Sequence, residues 1–259
     1  YTSGERAVMI MNADGSNKQE VVSKSTFELP QEVKDYYPWL SQQNVILNTN
    51  GSTVDWSPDG SKLVFSAMER LWTINLNGSG LTHIHTAGYD PRWASDNSAI
   101  YFVSEGIGSI PPGGGNATYI RANVQVFIIN GFPNNLIDAL IHSVEISSDS
   151  RKLISYVWGS SVNSPAPEED SQRSCTNNAN NDGENMRNCA LIMDMDGTIQ
   201  AVLGNNNSTT NYINAVWSPD GTKVAVVSDG IVVMNADGSN PIQIVNGRTD
   251  MDIFIDWTD

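Results

Sequence analysis

Four charged residues occupy one position of a repeated strand–turn–strand pattern, and they are the first candidates for chemistry. Each stands directly before the large apolar residue that ends a predicted strand: Asp55, Arg92, Glu145 and Asp256. If the fold brings them together, three carboxylates and one guanidinium could bind a cation or support acid–base chemistry, because clustered carboxylates raise one another's pKa. The structural alternatives are a ring of salt bridges between strands and a set of solvated charges.

Two aromatic residues flank the long polar segments of the sequence. Tyr119 lies in the segment 105–123, and Trp158 comes directly before the segment 159–188. Loops held by a rigid scaffold often carry function, so these side chains could offer aromatic surface to a protein or to a sugar. Burial at the end of a strand is the structural interpretation of both residues.

Metal ligands and nucleophiles are weakly represented. His83 and His85 would share one face of a regular strand, a spacing compatible with metal. No further His or Cys lies in their repeat, so two strand histidines on the surface are favoured. The Asn-Ala-Asp-Gly-Ser-Asn segments are interpreted as turns, and Glu168–Asp170 as a solvated loop with weak calcium binding as an alternative. The sequence predicts no catalytic residue and no cofactor, and leaves only calcium open.

Cys175 and Cys189 flank an Asn-rich polar segment. Their spacing, with no nearby His, is poor for zinc and suits a disulfide that closes a hairpin. A disulfide indicates an oxidising compartment. We therefore expect a periplasmic, cell-surface or secreted protein.

The elements that must position these residues follow from two similar segments, residues 55–66 and 216–228. Each contains Trp-Ser-Pro-Asp-Gly and then a short run rich in β-branched or aromatic residues. Pro presets φ for the turn, Asp bonds back to the backbone, and Gly takes the left-handed conformation. Each segment therefore predicts a strand, a tight turn and a second strand. Repetition at such intervals is typical of arrays, solenoids and propellers.

The combination of W-S-P-D-G-x-K, two strands and M-N-A-D-G-S-N resembles the TolB-type WD40-like (PD40) β-propeller family. The resemblance recurs along nearly the whole chain. It implies an all-β fold, a propeller of four-stranded antiparallel blades. In that family the domain serves interaction or gates a peptidase domain. The helical half of TolB and any hydrolase domain have no counterpart in this sequence, and no family catalytic residue carries over.

The blade count follows from the residues that anchor the innermost strands: Trp39, Trp56, Trp93, Ile146, Trp217 and Trp257. Six anchors favour six blades, the one around Trp39 being rudimentary; five blades plus a hairpin is the alternative. Residues 11–17 are identical to residues 234–240, so residues 1–22 are interpreted as the outer strands of a blade. We expect Ile253–Trp257 to be its innermost strand, which would close the ring and remove free edges.

Finer expectations concern individual segments. We expect one domain over residues 1–259, either acting alone or as a fragment of a larger protein. Residues 25–34 are predicted to be a loop. Residues 105–123 and 159–188 are predicted to be insertions between second and third strands, with one third strand at Val124–Asn130. Trp56 and Trp217 are expected to be buried between blades.

Charge limits the partners. The chain of 259 residues has a formal net charge of −15 and a pI near 4.4. Such a surface repels phosphate backbones and anionic lipids, so we expect neither nucleic-acid binding nor membrane insertion. The favoured function is non-enzymatic binding of a protein or glycan by a monomer. The alternative is a carbohydrate-active enzyme, a lyase or glycosidase, with acidic residues at the central channel.

Overall fold

A computed structural model describes residues 7–23, 31–36, 54–104, 106–120, 140–159, 187–203, 214–228 and 230–246, with Ile255 and Trp257 near the C-terminus. Within these ranges the chain is almost entirely β-structure. The exception is a short helix, α1 (Gln31–Tyr36), where the sequence predicts a loop up to Lys34. The predicted hairpin around Trp39 lies outside the described residues.

The strands form consecutive sheets in which each strand pairs with its neighbours in the sequence. Among the described residues, the first sheet consists of β1 (Val8–Ile10) and β2 (Gln19–Val22). The next two sheets are β3 (Val54–Trp56), β4 (Lys62–Ala67), β5 (Arg70–Asn75) and β6 (Thr82–His85), followed by β7 (Tyr89–Trp93), β8 (Ile100–Val103), β9 (Ile107–Ile110) and β10 (Thr118–Ile120). The last two are β11 (Leu140–Ile146), β12 (Lys152–Gly159), β13 (Arg187–Asp194) and β14 (Ile199–Leu203), followed by β15 (Asn214–Trp217), β16 (Lys223–Ser228), β17 (Gly230–Asn235) and β18 (Ile242–Asn246). The predicted all-β fold with four-stranded sheets is confirmed.

The turn between the first and second strands of a sheet has one geometry. In the β3–β4 turn, the Ser57 N–H donates to the Lys62 carbonyl at 2.9 Å and the Gly60 N–H donates to the Ser57 carbonyl at 2.8 Å. The β15–β16 turn repeats both bonds at the same lengths. Gly60 has a φ of +67°, the left-handed conformation that glycine adopts without a steric penalty. The predicted turn chemistry is confirmed.

The outermost strand of a sheet carries an extra residue. The register of β6 against β5 shifts by one residue at Ile84, and β18 shifts against β17 at Ile244. The pairs β1–β2 and β13–β14 have the same irregularity. A bulge of this kind leaves one residue unpaired and changes which face the following side chains occupy. The bulge was not predicted, because it leaves no mark on the alternation of residue types.

Contacts divide the chain into two compact units, and each has its own core. The first comprises Tyr1–Ser104 with Ser109–Thr118, and the second Glu105–Gly108 with Tyr119–Asp259. In the first unit, alternate residues of β4 face opposite ways. Leu63 and Phe65 pack with Val8 and Val22, whereas Val64 packs with Trp93. Strands buried on both faces explain why this sequence is apolar without alternation.

The core of the second unit joins the sheets β11–β14 and β15–β18. Trp217 packs with Ile154 and Ile192 of the preceding sheet, together with Val224 and Val226. Trp217 is 9 % exposed, so its expected burial is confirmed. Trp56, at the same position of its own repeat, is 46 % exposed, and the expectation that it is buried between blades is wrong.

One predicted insertion is also wrong. The segment 105–123 contains β9 and β10, which are the third and fourth strands of their sheet. Pro111–Gly115 therefore belongs to the connection between these two strands. Short strands with polar neighbours did not stand out in the sequence. The segment Val124–Asn130, predicted to be the third strand, lies outside the described residues.

Candidate functional site

Asp55 links two neighbouring sheets of the first unit. Its Oδ2 accepts a hydrogen bond of 2.7 Å from the backbone N–H of Trp93. Asp55 lies in β3 and Trp93 in β7, the first strands of consecutive sheets. The Asp55 side chain therefore joins the first strands of two sheets through a hydrogen bond to the backbone.

Arg92 forms an ion pair with a residue that the sequence analysis did not single out. Its Nη1 lies 3.0 Å from Oδ1 of Asp90, and both side chains are largely shielded from solvent. The same Nη1 donates to the Pro91 carbonyl at 3.0 Å. Asp90 has a φ of +50°, a left-handed conformation that is unusual for a non-glycine residue. A following proline favours an extended conformation with a negative φ, so the Asp-Pro pair contains no signal of this conformation.

The cluster of Asp55, Asp90 and Arg92 carries more negative than positive groups. Burial raises the pKa of the Asp55 carboxyl above its ordinary value of 3.8, against the opposing effects of the Trp93 N–H and of Arg92. Burial also raises the pKa of Tyr89, with a contribution from Asp90. This cluster therefore holds a carboxyl group in an environment that disfavours its charge.

The other two predicted channel residues lie outside the first unit or outside the described residues. Glu145 lies in β11 of the second unit and is partly buried. Asp256 lies outside the described residues. The convergence of all four charged residues on one channel therefore remains a prediction.

The two aromatic candidates lie in strands. Tyr119 is in β10 and is exposed. Trp158 is in β12, where its backbone is paired with Leu140 on one side and Asn188 on the other. A role of either residue in binding remains a prediction.

Two long segments leave the sheet β11–β14 from the same end. Leu140 begins β11 opposite Trp158, and Gly159 is paired with Arg187. This end of the sheet is where residues 121–139 connect to β11 and where residues 160–186 connect β12 to β13. We call it the loop end. The opposite end of the sheet, the turn end, carries the tight turns at Asp149 and Asp196. The predicted placement of the second insertion between the second and third strands is confirmed.

The aspartate carboxylates of the tight turns accept hydrogen bonds from other residues of the same turn. Oδ1 of Asp59 accepts from the Ser57 hydroxyl at 2.7 Å and from the Ser61 N–H at 2.9 Å. Asp220 repeats these contacts with Ser218 and Thr222, and these bonds lower its pKa to about 2. The interpretation of such segments as turns agrees with this geometry.

His83 and His85 lie on opposite faces of their sheet, because the bulge at Ile84 falls between them. The His83 ring is 4.8 Å from the ring of Trp72, which belongs to the core shared with β1 and β2. The His85 ring is 4.8 Å from that of Phe102, which belongs to the core shared with β7. The expectation of one shared face is wrong. No group of three potential metal ligands occurs among the described residues.

The cysteine pair is only partly covered by the structure. Cys189 lies in β13, paired with Val157, while Cys175 lies outside the described residues. The disulfide remains a prediction, as does the calcium alternative at Glu168–Asp170, which also lies outside. In the part of the chain that the structure describes, no helix is both long and apolar enough to span a bilayer.

Comparisons with solved structures agree with the architecture. The chain is similar to the crystal structure of TolB from Acinetobacter baumannii, with a TM-score of 0.55 and 14 % sequence identity over 96 % of this chain and 51 % of that one. It is also similar to a TolB structure from Agrobacterium tumefaciens, with a TM-score of 0.50 and 17 % identity over 79 % of this chain and 72 % of that one. The fold is that of a TolB-like β-propeller.

The same comparisons set the limits of this likeness. The chain spans about half the length of the Acinetobacter protein. No family model matches the sequence, and no curated protein matches it. At these identities the TolB-like likeness describes the fold, and function must be argued from the sites.

Proposed function

We propose that this TolB-like chain is a non-enzymatic, extracytoplasmic binding module whose loop end holds a protein or glycan partner. The observation that supports this proposal is the asymmetry of the sheet β11–β14. Its loop end receives residues 121–139 and 160–186, while its turn end is closed by tight turns. Long segments held by a regular scaffold are where binding surfaces commonly form.

Binding is favoured over catalysis by the contacts of the charged candidates. Asp55 accepts a hydrogen bond from a backbone N–H of the next sheet, and Arg92 forms an ion pair with Asp90. A glycosidase needs two carboxyl groups facing one cleft, with one of them free to donate a proton. Instead, the hydrogen bond of Asp55 joins β3 to β7, and the ion pair of Arg92 neutralises the charge of Asp90. Their contacts support a structural role for this cluster.

The partner is sought with the intact chain. A glycan array and a pull-down with the wild-type protein are expected to recover one class of ligand. Replacing residues 160–186 by a short Gly-Asn link is expected to abolish that binding without unfolding the protein, because Gly159 and Arg187 are already paired. Asp196→Asn at the turn end is the control and should bind normally. Binding that survives the loop replacement but is lost in Asp196→Asn would contradict the proposal.

We also propose that the ring closes with six blades, one of them rudimentary. Each unit has an open apolar surface that supports closure. β18 presents Ile242 and Ile244 at 63 % and 60 % exposure, and Met11, directly after β1, is 47 % exposed. The Trp257 indole N–H donates to the Val216 carbonyl of β15 at 3.3 Å, which suits an innermost strand beside β15.

Closure is tested by removing residues 251–259. We expect a sharp fall in Tm, because the deletion opens a sheet and exposes the apolar surfaces on both sides of it. Trp257→Phe is the control: it removes the indole N–H and part of the aromatic surface but keeps the strand, and it should lower Tm much less than the deletion does. An unchanged Tm after the deletion would rule out the shared blade.

A further inference from the structure

We propose that Asn77 is a site of spontaneous deamidation, at which the folded chain converts an amide into the carboxylate that its sister turns already have. Four turns share one geometry: the turn between β1 and β2, and the turns β5–β6, β13–β14 and β17–β18 between the third and fourth strands of their sheets. The third residue of each turn is Asp14, Asn77, Asp196 or Asp237. A glycine follows in each, with φ between +79° and +89°. Asn77 is the only amide at this position among the four described turns.

The side-chain oxygen at this position has the same role in each turn. Asn77 Oδ1 accepts from the Ser79 N–H at 3.0 Å, as Asp14 Oδ1 does from Ser16 and Asp237 Oδ1 from Ser239, both at 2.9 Å. An aspartate at position 77 would therefore keep the turn without rearrangement. Its carboxylate would be stabilised as in the sister turns, where bonds from serine lower the pKa of Asp14 and Asp237.

The reaction needs only water and the residue that follows. The Gly78 nitrogen, after losing its proton to solvent, attacks Asn77 Cγ. The Cγ–Nδ2 bond breaks, Nδ2 leaves as ammonia, and a five-membered succinimide forms. Water then opens the ring. Cleavage at Cγ gives aspartate, and cleavage at the backbone carbonyl gives isoaspartate. The released ammonia takes up a proton, so the net change is amide plus water to carboxylate plus ammonium.

Three features of the turn favour this reaction. Residues 77–79 are exposed, so water and base have access. Gly78 has no side chain to obstruct the ring. Ser79 donates to Asn77 Oδ1 twice, from its N–H and from its hydroxyl at 2.6 Å. Two donors at the oxygen where negative charge develops stabilise a tetrahedral intermediate, as in an oxyanion hole. The Gly78 N–H must first leave the Asn75 carbonyl, at 2.9 Å, which local opening of an exposed turn permits.

The two products have different consequences for the fold. Aspartate adds one negative charge and preserves the turn. Isoaspartate adds a carbon to the backbone and shifts Gly78, which packs closely against β2: a Cβ at Gly78 would lie 3.0 Å from the Val21 carbonyl oxygen. Gln19 also donates to the Leu76 carbonyl at 3.3 Å. Isoaspartate is therefore expected to loosen the contact between β2 and this turn.

The test is incubation of the folded wild-type chain at mildly alkaline pH, followed by peptide mapping with mass spectrometry. We expect the peptide containing Asn77 to gain about one mass unit with time. Aspartate should form a larger fraction of the product than in the chain unfolded in urea, because the native turn accommodates it. Asn77→Asp should show no gain in that peptide and a Tm equal to that of the wild type. An amide retained in the folded chain, over a period in which the unfolded chain reacts, would overturn the proposal.

Ser79→Ala tests the part assigned to the hydroxyl. It removes one of the two donors to Asn77 Oδ1 and is expected to slow deamidation severalfold. Ser239→Ala is the matched control, because it makes the same change in a sister turn that has Asp237 at the position of Asn77. Equal rates in Ser79→Ala and the wild type, or equal slowing in Ser239→Ala, would refute the role of Ser79.

Discussion

Two copies of the Trp-Ser-Pro-Asp-Gly motif have the same turn and different surroundings. The Ser57 hydroxyl lies 2.7 Å from Asp59 Oδ1, and the Ser218 hydroxyl lies 2.6 Å from Asp220 Oδ1. The tryptophans that precede these turns differ, because Trp56 is about half exposed and Trp217 is buried. The turn is therefore set by the motif itself, whereas the burial of its tryptophan is set elsewhere.

The neighbouring sheet accounts for the difference. Trp217 packs against Ile154 of β12 and Ile192 of β13, the second and third strands of the preceding sheet. The sheet before Trp56 is β1–β2, which has two described strands and packs on Leu63 and Phe65 instead. The environment of a repeated motif therefore depends on how the preceding sheet packs, which the motif itself does not determine.

The largest expected effect tests this contrast directly. Trp217→Ala should lower the free energy of unfolding by about 3–5 kcal/mol, the usual range for removing a buried aromatic side chain. Trp56→Ala should cost less than about 2 kcal/mol, because much of the side chain already contacts water. Urea denaturation of both variants measures the two losses. Equal losses of unfolding free energy would mean that Trp56 is buried in solution, and they would contradict the difference in burial between the two tryptophans.

The sequence predicted what depends on neighbouring residues and missed what depends on neighbouring sheets. The turn at Asp59 could be predicted because Pro, Asp and Gly specify its backbone within five residues. The bulge at Ile84 could not, since it depends on how β6 pairs with β5, and it reversed the expected placement of His85. Asp55 was identified by its position before the motif, but its bond to Trp93 depends on the packing of one sheet on the next.

The residue before each tryptophan also differs between the two copies, and this gives the second prediction. Asp55 has a raised pKa, so its proton is held more tightly in the folded chain than in the unfolded chain. The stabilisation that comes from this more tightly held proton is present below pH 3.8, the ordinary pKa of the group. It is lost as the pH rises through the higher pKa of the folded chain. Asp55→Asn keeps an oxygen for the Trp93 N–H and removes the charge. Its stability relative to the wild type should therefore increase across that window, as measured by Tm against pH.

Asp55→Ala is the companion variant for this measurement. It leaves the Trp93 N–H without its acceptor and should cost about 1–3 kcal/mol at neutral pH. If Asp55→Asn loses as much stability as Asp55→Ala, then the charge of Asp55, rather than its acceptor oxygen, holds β3 to β7. The copy at Val216 offers no carboxylate, so the same pH window should be absent from changes made there.

The smallest expected effect concerns the part that the two copies share. Asp220 has a folded pKa of about 2, below its ordinary value of 3.8, because Ser218 and Thr222 donate to its carboxylate. Stability from this source is present above 3.8 and is lost as pH falls through about 2. Asp220→Asn should therefore make Tm fall less steeply over this acid range, by a small amount because the group is exposed. Asp59→Asn should flatten the curve in the same direction, since Ser57 and Ser61 lower the pKa of Asp59 in the same way. The matching bond lengths indicate that the motif alone determines the turn. A change in the slope of Tm against acid pH in only one of the two variants would contradict this.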